Sequence, residues 1–67
     1  MSNVARVTEI TARSNNSLED AINIGVERAS TTLRNVSSAW VKEQQVQVVD
    51  GKVSEYQVNL LVTFVLD

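Results

Sequence analysis

The chain of 67 residues contains no cysteine and no histidine. Without cysteine the chain can form no disulfide and has no thiolate nucleophile, and without histidine it has no imidazole base. Cysteine and histidine are also the usual ligands of zinc, so a typical zinc site is excluded. The remaining carboxylates, amines, guanidinium groups and hydroxyls show no spacing that sets a nucleophile beside a base. We therefore predict that the protein is not an enzyme and has no catalytic residues.

Long apolar runs and an excess of basic charge are also missing. No stretch reaches the roughly 18 apolar residues of a membrane-spanning helix, and residues 1–6 lack the apolar core of a signal peptide. The 8 acidic and 6 basic residues give a net charge of -2. This balance argues against nucleic acid or an anionic membrane as the partner. Together these features predict a soluble, cytoplasmic protein.

The length predicts one domain, residues 1–67, close to the lower limit for a single hydrophobic core. Apolar burial at about 25 cal/mol per Å² roughly cancels an ordering cost of about 1.5 kcal/mol per residue in so small a chain. Such domains need an additional source of stability. Because disulfides and zinc are excluded, we predict self-association into a homo-oligomer.

Residue patterns in the first half predict a strand followed by a helix. β-Branched residues favour a strand over residues 4–12. Ser17 then stands as a helix N-cap, with Asp20 in capping-box spacing. An apolar stripe at three- and four-residue steps follows, extending to Leu33 or Val36. Its members are Leu18, Ala21, Ile22, Gly25, Val26, Ala29 and Leu33.

Two residues of this helix depart from the pattern. Gly25 lies inside the stripe at a cost of roughly 1 kcal/mol in helix propensity, which indicates either a close approach of the sheet backbone or a tolerated glycine. Ile24 is apolar but lies outside the stripe. We expect Ile24 to contact a neighbouring subunit.

The second half predicts a β-hairpin. Asp50 and Gly51 are the residue pair that two-residue hairpin turns prefer, between strands at residues 39–49 and 53–66. Ser37 and Ser38 then form the turn from the helix into the hairpin. In the third strand the even-numbered residues from Tyr56 to Leu66 face the helix. The opposite face also carries apolar side chains, Leu61 and Val65, which predict cover by a partner chain.

The turn also predicts a register. It pairs Val49 with Lys52, Val46 with Glu55, Gln44 with Gln57 and Trp40 with Leu61. The only Trp then lies on the face turned away from the helix, together with Lys42, Gln44 and Gln57. A β-bulge between Val41 and Val48 would shift this register by one residue and turn Trp40 inward.

An outward Trp40 has two interpretations. Beside amide groups it is suited to stacking on a planar ligand, but a lone Trp is also a common interface anchor. Glu19, Asp20, Glu43 and Glu55 offer oxygen ligands without the spacing of a calcium loop. We predict no metal site from these residues, although symmetry between subunits can multiply a single carboxylate.

The order of elements and four sequence segments resemble the dodecin family over nearly the whole chain. The segments are Ser17-Leu18-Glu19-Asp20-Ala21-Ile22, Thr32-Leu33-Arg34-Asn35-Val36, Asp50-Gly51-Lys52-Val53 and Tyr56-Gln57-Val58. The resemblance implies an α+β fold, β-α-β-β, in which a three-stranded antiparallel sheet wraps around one helix and the subunits form a hollow dodecamer. It also implies flavin binding (riboflavin, FMN or lumichrome) for storage and photoprotection.

Within the family a Trp covers the flavin ring and a Gln binds its edge. Gln57 stands at the position of that Gln. The ungapped alignment puts Ser38 at the Trp position and Trp40 two residues further on, a displacement of about 7 Å along a strand; the Arg-Gly pair of flavin-binding members is missing. The candidate flavin-contacting residues are therefore Trp40, Gln57, Ser38 and, as a second donor, Gln44.

The displacement of Trp40 from the family position leaves an alternative to flavin binding. The segment from Ala39 to Gln44 resembles dodecin relatives that lack the flavin Trp, some of which are described as calcium-binding. A flavin-free cage with a structural or calcium-binding role is thus the second hypothesis.

Overall fold

The computed structural model describes residues 2–67. The chain forms β1 (Ala5–Ser14), α1 (Leu18–Thr32), β2 (Val36–Val49) and β3 (Lys52–Val65). The three strands make one antiparallel sheet in the order β1-β3-β2, which leaves β1 and β2 as its edges. The predicted β-α-β-β fold, with a three-stranded antiparallel sheet and one helix, is confirmed.

Local hydrogen bonds set the ends of α1. The Ser17 hydroxyl accepts from the Asp20 backbone N–H at 2.9 Å, as predicted for an N-cap. The Asp20 carboxylate accepts from the Ser14 hydroxyl and the Asn16 amide, which ties the helix start to the end of β1. The Leu33 N–H donates to the Ala29 carbonyl at the C-cap. Asn35 then takes a left-handed conformation, φ 62°, and turns the chain into β2.

Two strands are longer than predicted. β1 continues through Arg13 and Ser14, which we expected in a polar turn, because both pair with β3. β2 begins at Val36, so the assignment of Ser37 and Ser38 to a turn and the extension of the helix stripe to Val36 are wrong. In both cases pairing with β3, a contact distant in sequence, overrides the polar local composition.

The core lies between α1 and the middle of the sheet. Val58, Leu60 and Val62 of β3 are fully buried, as the alternation predicted. Within residues 2–67 the other buried apolar residues are Ala12, Ala21 and Ala29. Three of these six residues are alanines, and larger apolar side chains such as Ile10 and Ile22 are only partly buried against them, which agrees with a need for self-association.

Gly25 marks the closest approach of α1 to the sheet. A Cβ added there would lie 2.8 Å from Leu60 Cδ1 and 3.0 Å from Ala12 Cβ. Side chains of the sheet, rather than its backbone, therefore explain the glycine. Leu60 is fully buried and has little freedom to move aside.

We expect Gly25→Ala to destabilise the protein by about 1 kcal/mol. Overpacking costs about 1–3 kcal/mol, and the gain in helix propensity offsets only about 1 kcal/mol of it. Urea unfolding at a fixed protein concentration measures the change. Asn23→Ala, on the exposed side of α1, is the matched control and should raise stability slightly. An increase for Gly25→Ala would contradict the packing argument.

The register of the hairpin shifts at two places between the turn and Trp40. Between Gln47 and Val48 the extra residue lies in β3, and between Val41 and Glu43 it lies in β2. The predicted pairs of Val46 with Glu55 and of Gln44 with Gln57 are therefore wrong. The observed pairs are Val46 with Tyr56, Gln45 with Gln57 and Gln44 with Val58. The two shifts cancel, and the predicted pair of Trp40 with Leu61 is confirmed.

The hairpin extends beyond the rest of the chain. Pairing of β1 with β3 ends where Ser14 meets Tyr56, so residues 47–55 form a two-stranded arm. The molecule accordingly measures 52 × 19 × 14 Å. No helix within residues 2–67 has the length and apolarity needed to cross a bilayer.

Candidate functional site

The candidate residues lie on the face of the sheet that is turned away from α1, here called the outer face. Because Val58, Leu60 and Val62 point into the core, the odd-numbered residues of β3 point outward. Cross-strand neighbours share a face. The outer face therefore carries Gln57, Asn59, Leu61 and Thr63 of β3; Val7, Glu9, Thr11 and Arg13 of β1; and Ser38, Trp40, Glu43 and Gln45 of β2.

Trp40 projects from the outer face with 71% of its surface exposed. Its outward placement is confirmed, even though β2 contains an irregularity between Val41 and Glu43 of the kind that was expected to turn it inward. Since the two register shifts compensate, Trp40 stays on the face of Leu61. An exposed indole next to a leucine is an apolar platform of the size of an aromatic ring.

Ser38 lies on the same face, opposite Thr63. It is exposed and stands two residues before Trp40, about 7 Å away along the strand. The structure thus places Trp40 and Ser38 on one face of the sheet, opposite Leu61 and Thr63.

Gln57 is held by a neighbour that the sequence analysis did not single out. Its Oε1 atom accepts a hydrogen bond from Arg13 Nε at 2.8 Å, and Arg13 Nε also lies 3.9 Å from a carboxylate oxygen of Glu55. A guanidinium group has donors only, so the amide atom that faces it is the oxygen. The amide NH₂ of Gln57 is left to donate to a ligand.

The interaction of Arg13 with Gln57 depends on the pairing of β1 with β3. Residues 13 and 57 are far apart in sequence and become neighbours only because β1 extends to Ser14. The polar composition around Arg13 favoured a turn, so the contact of Arg13 with Gln57 was not predicted. A strand assignment continued by two residues would have placed Arg13 beside Gln57.

Gln44 does not share the outer face, which corrects its predicted role beside Gln57. Its cross-strand neighbour is Val58, which points toward α1. The extra residue of β3 near Ser54 shifts the pairing by one position, and a shift of one position exchanges the two faces of a strand. Gln45 takes the place opposite Gln57 and is exposed.

Trp40 and Gln57 are on one face but are not adjacent. Trp40 pairs with Leu61, and Leu61 lies four residues from Gln57 along β3. At 3.3 Å per residue, this separation is about 13 Å. A polar group lies between them: Lys42 Nζ is 3.4 Å from Glu9 Oε1, and Asn59 Nδ2 donates to Glu9 Oε2 at 3.4 Å. Simultaneous contact of one planar ring with both residues therefore calls for residues from two chains.

Carboxylates are spread along the chain rather than grouped. Within residues 2–67 there is no cluster of three or more acidic side chains that is arranged to hold a metal ion. Glu9 is engaged by Lys42 and Asn59, and Glu55 lies near Arg13.

Comparison with known proteins identifies the family of the chain. The dodecin family model matches residues 4–67. The chain belongs to the dodecin family. The dodecin of Streptomyces davaonensis is 37% identical with a TM-score of 0.93, covering 100% of this chain and 98% of that one. The Streptomyces coelicolor dodecin is 35% identical with a TM-score of 0.91, covering 97% and 93%. No curated protein matches the chain.

A third solved structure extends the comparison to another genus. A variant of the Thermus thermophilus dodecin is 36% identical, has a TM-score of 0.92 and is covered over 98% of each chain. The family resemblance drawn from the four sequence segments is therefore confirmed. The dodecin fold of this chain includes the long β2–β3 hairpin that carries Trp40 and Gln57.

Proposed function

We propose that this dodecin is a flavin-binding protein that stores flavin and protects it from photochemistry within a hollow dodecameric shell. The observation that carries the proposal is the exposure of Trp40, 71%, on a sheet face that also presents amide groups. A planar, partly apolar ring with polar atoms at its edge matches such a surface. Riboflavin, FMN and lumichrome share that ring chemistry.

The residues have separate roles in the proposal. The Trp40 indole stacks on the ring and, by contact, quenches its excited state. Gln57, with its oxygen engaged by Arg13 at 2.8 Å, donates its NH₂ to a carbonyl oxygen at the ring edge. Ser38 adds a hydroxyl next to the indole, and Gln45 adds an amide opposite Gln57. Gln44, on the other face, is not part of this site.

Self-association supplies the geometry that one chain lacks. Because about 13 Å of strand separates Trp40 from Gln57, a ring stacked on Trp40 of one copy takes its edge contact from Gln57 of a second copy. Assembly also adds buried surface to the thin core. The flavin site and the stability of the chain are thereby both linked to the oligomer.

The first experiment is a titration of the purified protein into riboflavin at fixed flavin concentration, followed by flavin fluorescence. We expect strong, saturable quenching, because an indole in contact with the ring deactivates its excited state. Hen egg-white lysozyme at equal tryptophan concentration serves as the control for collisional quenching. Absence of quenching at high protein concentration would contradict flavin binding.

The second candidate is a flavin-free shell with a structural or calcium-binding role. The absence of flavin in this candidate is favoured by the displacement of Trp40 from the family position and by the Glu9, Lys42 and Asn59 group, which separates Trp40 from Gln57. In this case calcium, but not magnesium or riboflavin, should raise the melting temperature of a colourless oligomer, and a chelator should reverse the increase.

A further inference from the structure

The side-chain amide of Gln57 has one defined direction on the outer face. A glutamine amide has donors at one end and an acceptor at the other, and an unrestrained amide can turn over to present either end. Arg13 removes this freedom, because its Nε donates to Gln57 Oε1 at 2.8 Å and a guanidinium group cannot accept a hydrogen bond from the amide NH₂. The donor end of Gln57 is therefore the end offered to a ligand.

Arg13 is held in place by the sheet and by a carboxylate. It lies directly opposite Gln57 in the pairing of β1 with β3, and such neighbours have Cβ atoms about 4.5–5.5 Å apart. Glu55, two residues before Gln57 and on the same face of β3, has a carboxylate oxygen 3.9 Å from Arg13 Nε. The opposite charge keeps the guanidinium group beside Gln57.

The neighbour on the other side of Gln57 does not impose a direction. Gln45 pairs with Gln57 across β2 and β3 and is exposed. Its own amide has both donors and an acceptor, so it can match either orientation of Gln57. Of the two cross-strand neighbours, Arg13 is the one that distinguishes the two ends of the amide. The polarity of the site at Gln57 thus depends on Arg13.

We propose that Arg13 is a positioning residue that determines the specificity of the flavin site. By holding Gln57 as a donor, it makes the site select planar rings whose edge carries a hydrogen-bond acceptor. Flavins and lumichrome meet this requirement with the carbonyl oxygens of their pyrimidine ring. A ring with amino groups at its edge leaves two donors facing each other, and both lose their hydrogen bonds to water without replacement. The inference rests on the proposed function and assigns Arg13 no contact with the ring.

Competition between two three-ring ligands tests this selectivity. Lumichrome has carbonyl oxygens at its edge, whereas proflavine has amino groups and no carbonyl; both are planar and can stack on an indole. Their affinities are measured by displacement of riboflavin from the unmodified protein and from Arg13→Met, which keeps a long side chain without a donor. In Arg13→Met the released amide can turn its oxygen toward an amino group. We expect the ratio of lumichrome affinity to proflavine affinity to fall by about 5-fold, the value of one hydrogen bond.

Arg6→Met is the matched control for the loss of charge. Arg6 lies on the same strand as Arg13 and is exposed, but it pairs with Phe64, on the α1 side of the sheet. Removal of one positive charge favours cationic proflavine to a similar extent in both variants. A larger fall of the ratio in Arg13→Met is therefore due to the amide. An unchanged ratio in Arg13→Met, or an equal fall in both variants, would overturn the proposal.

A double-mutant cycle shows whether Arg13 acts through Gln57. Arg13→Met alone should lower riboflavin affinity about 2- to 12-fold, the cost of ordering one flexible side chain on binding. In a Gln57→Leu background, which has no amide to orient, Arg13→Met should have no further effect. General damage to the sheet would lower affinity in both backgrounds. Equal effects in the two backgrounds would contradict a positioning role.

A third variant tests the direction of the hydrogen bond. Gln57→Glu keeps the shape of the side chain and a partner for Arg13, but an ionised carboxylate has acceptors only. Riboflavin should bind this variant no more tightly than Gln57→Leu. Tighter binding would show that the ring donates to residue 57 and would overturn the proposal.

The unmodified protein separates the failure of this proposal from that of flavin binding itself. If it quenches riboflavin fluorescence saturably and the ratio is unchanged in Arg13→Met, the role of Arg13 alone is contradicted. If it shows no saturable quenching, the proposed function is contradicted and the role of Arg13 with it.

Discussion

Replacing Leu60 by Ala is expected to lower the free energy of unfolding by about 2–5 kcal/mol. Leu60 is fully buried at the centre of β3 and, with Val58 and Val62, is among the largest fully buried side chains within residues 2–67. Its Cδ1 atom lies where a Cβ on Gly25 would approach to 2.8 Å, so it fills the space that the glycine leaves. Truncation opens a cavity directly under α1.

The adjacent residue is the matched control for this prediction. Leu61→Ala makes the same chemical change one position along β3, but on the outer face, where the side chain is only partly buried. We expect a clearly smaller loss. Both variants are compared by urea unfolding at one protein concentration, because the stability of an oligomer depends on concentration. Equal losses would contradict the assignment of the core to the even-numbered residues.

The core was predictable because its pattern is local and strict. The even-numbered residues of β3 from Tyr56 to Phe64 are all apolar or aromatic, and the α1 stripe repeats at helical spacing, so each pattern identifies its buried face by itself. Leu66, predicted on the same face, lies beyond the end of β3 and is 42% exposed. Ser17 and the Asp50-Gly51 pair then set the helix start and the turn through short-range hydrogen bonds and backbone preference. Such signals need no knowledge of the partner strand.

The errors concern residues whose state depends on distant pairing. The register shifts near Ser54 and Lys42 leave no compositional mark, and they moved Gln44 to the helix side while returning Trp40 to its predicted face. Arg13 likewise belongs to a strand only because β3 lies beside it. Gln57 could thus be predicted as a site residue from its sequence motif. The residues that surround Gln57 could not, because they depend on the register of the paired strands.

The second large effect is expected at Trp40, and it rests on the proposed function. Trp40→Ala should abolish the saturable quenching of riboflavin, because it removes the stacking surface that the proposal assigns to the ring. The subunit fold should be retained, since the side chain is 71% exposed and adds little to the core. The circular dichroism spectrum and the sedimentation coefficient of the variant show whether the fold and the assembly are retained when binding is lost.

Two further variants distinguish stacking from general apolar contact at this position. Trp40→Phe keeps an aromatic face and should retain part of the affinity, whereas Trp40→Leu keeps apolar bulk and should lose it. Tyr56→Leu removes an aromatic ring on the α1 side of the same hairpin and should leave riboflavin affinity unchanged, because that side faces away from the site. If Trp40→Ala binds riboflavin with unchanged affinity, the indole is not the flavin platform, and the exposed Trp40 is then better explained as a contact between subunits of a flavin-free shell.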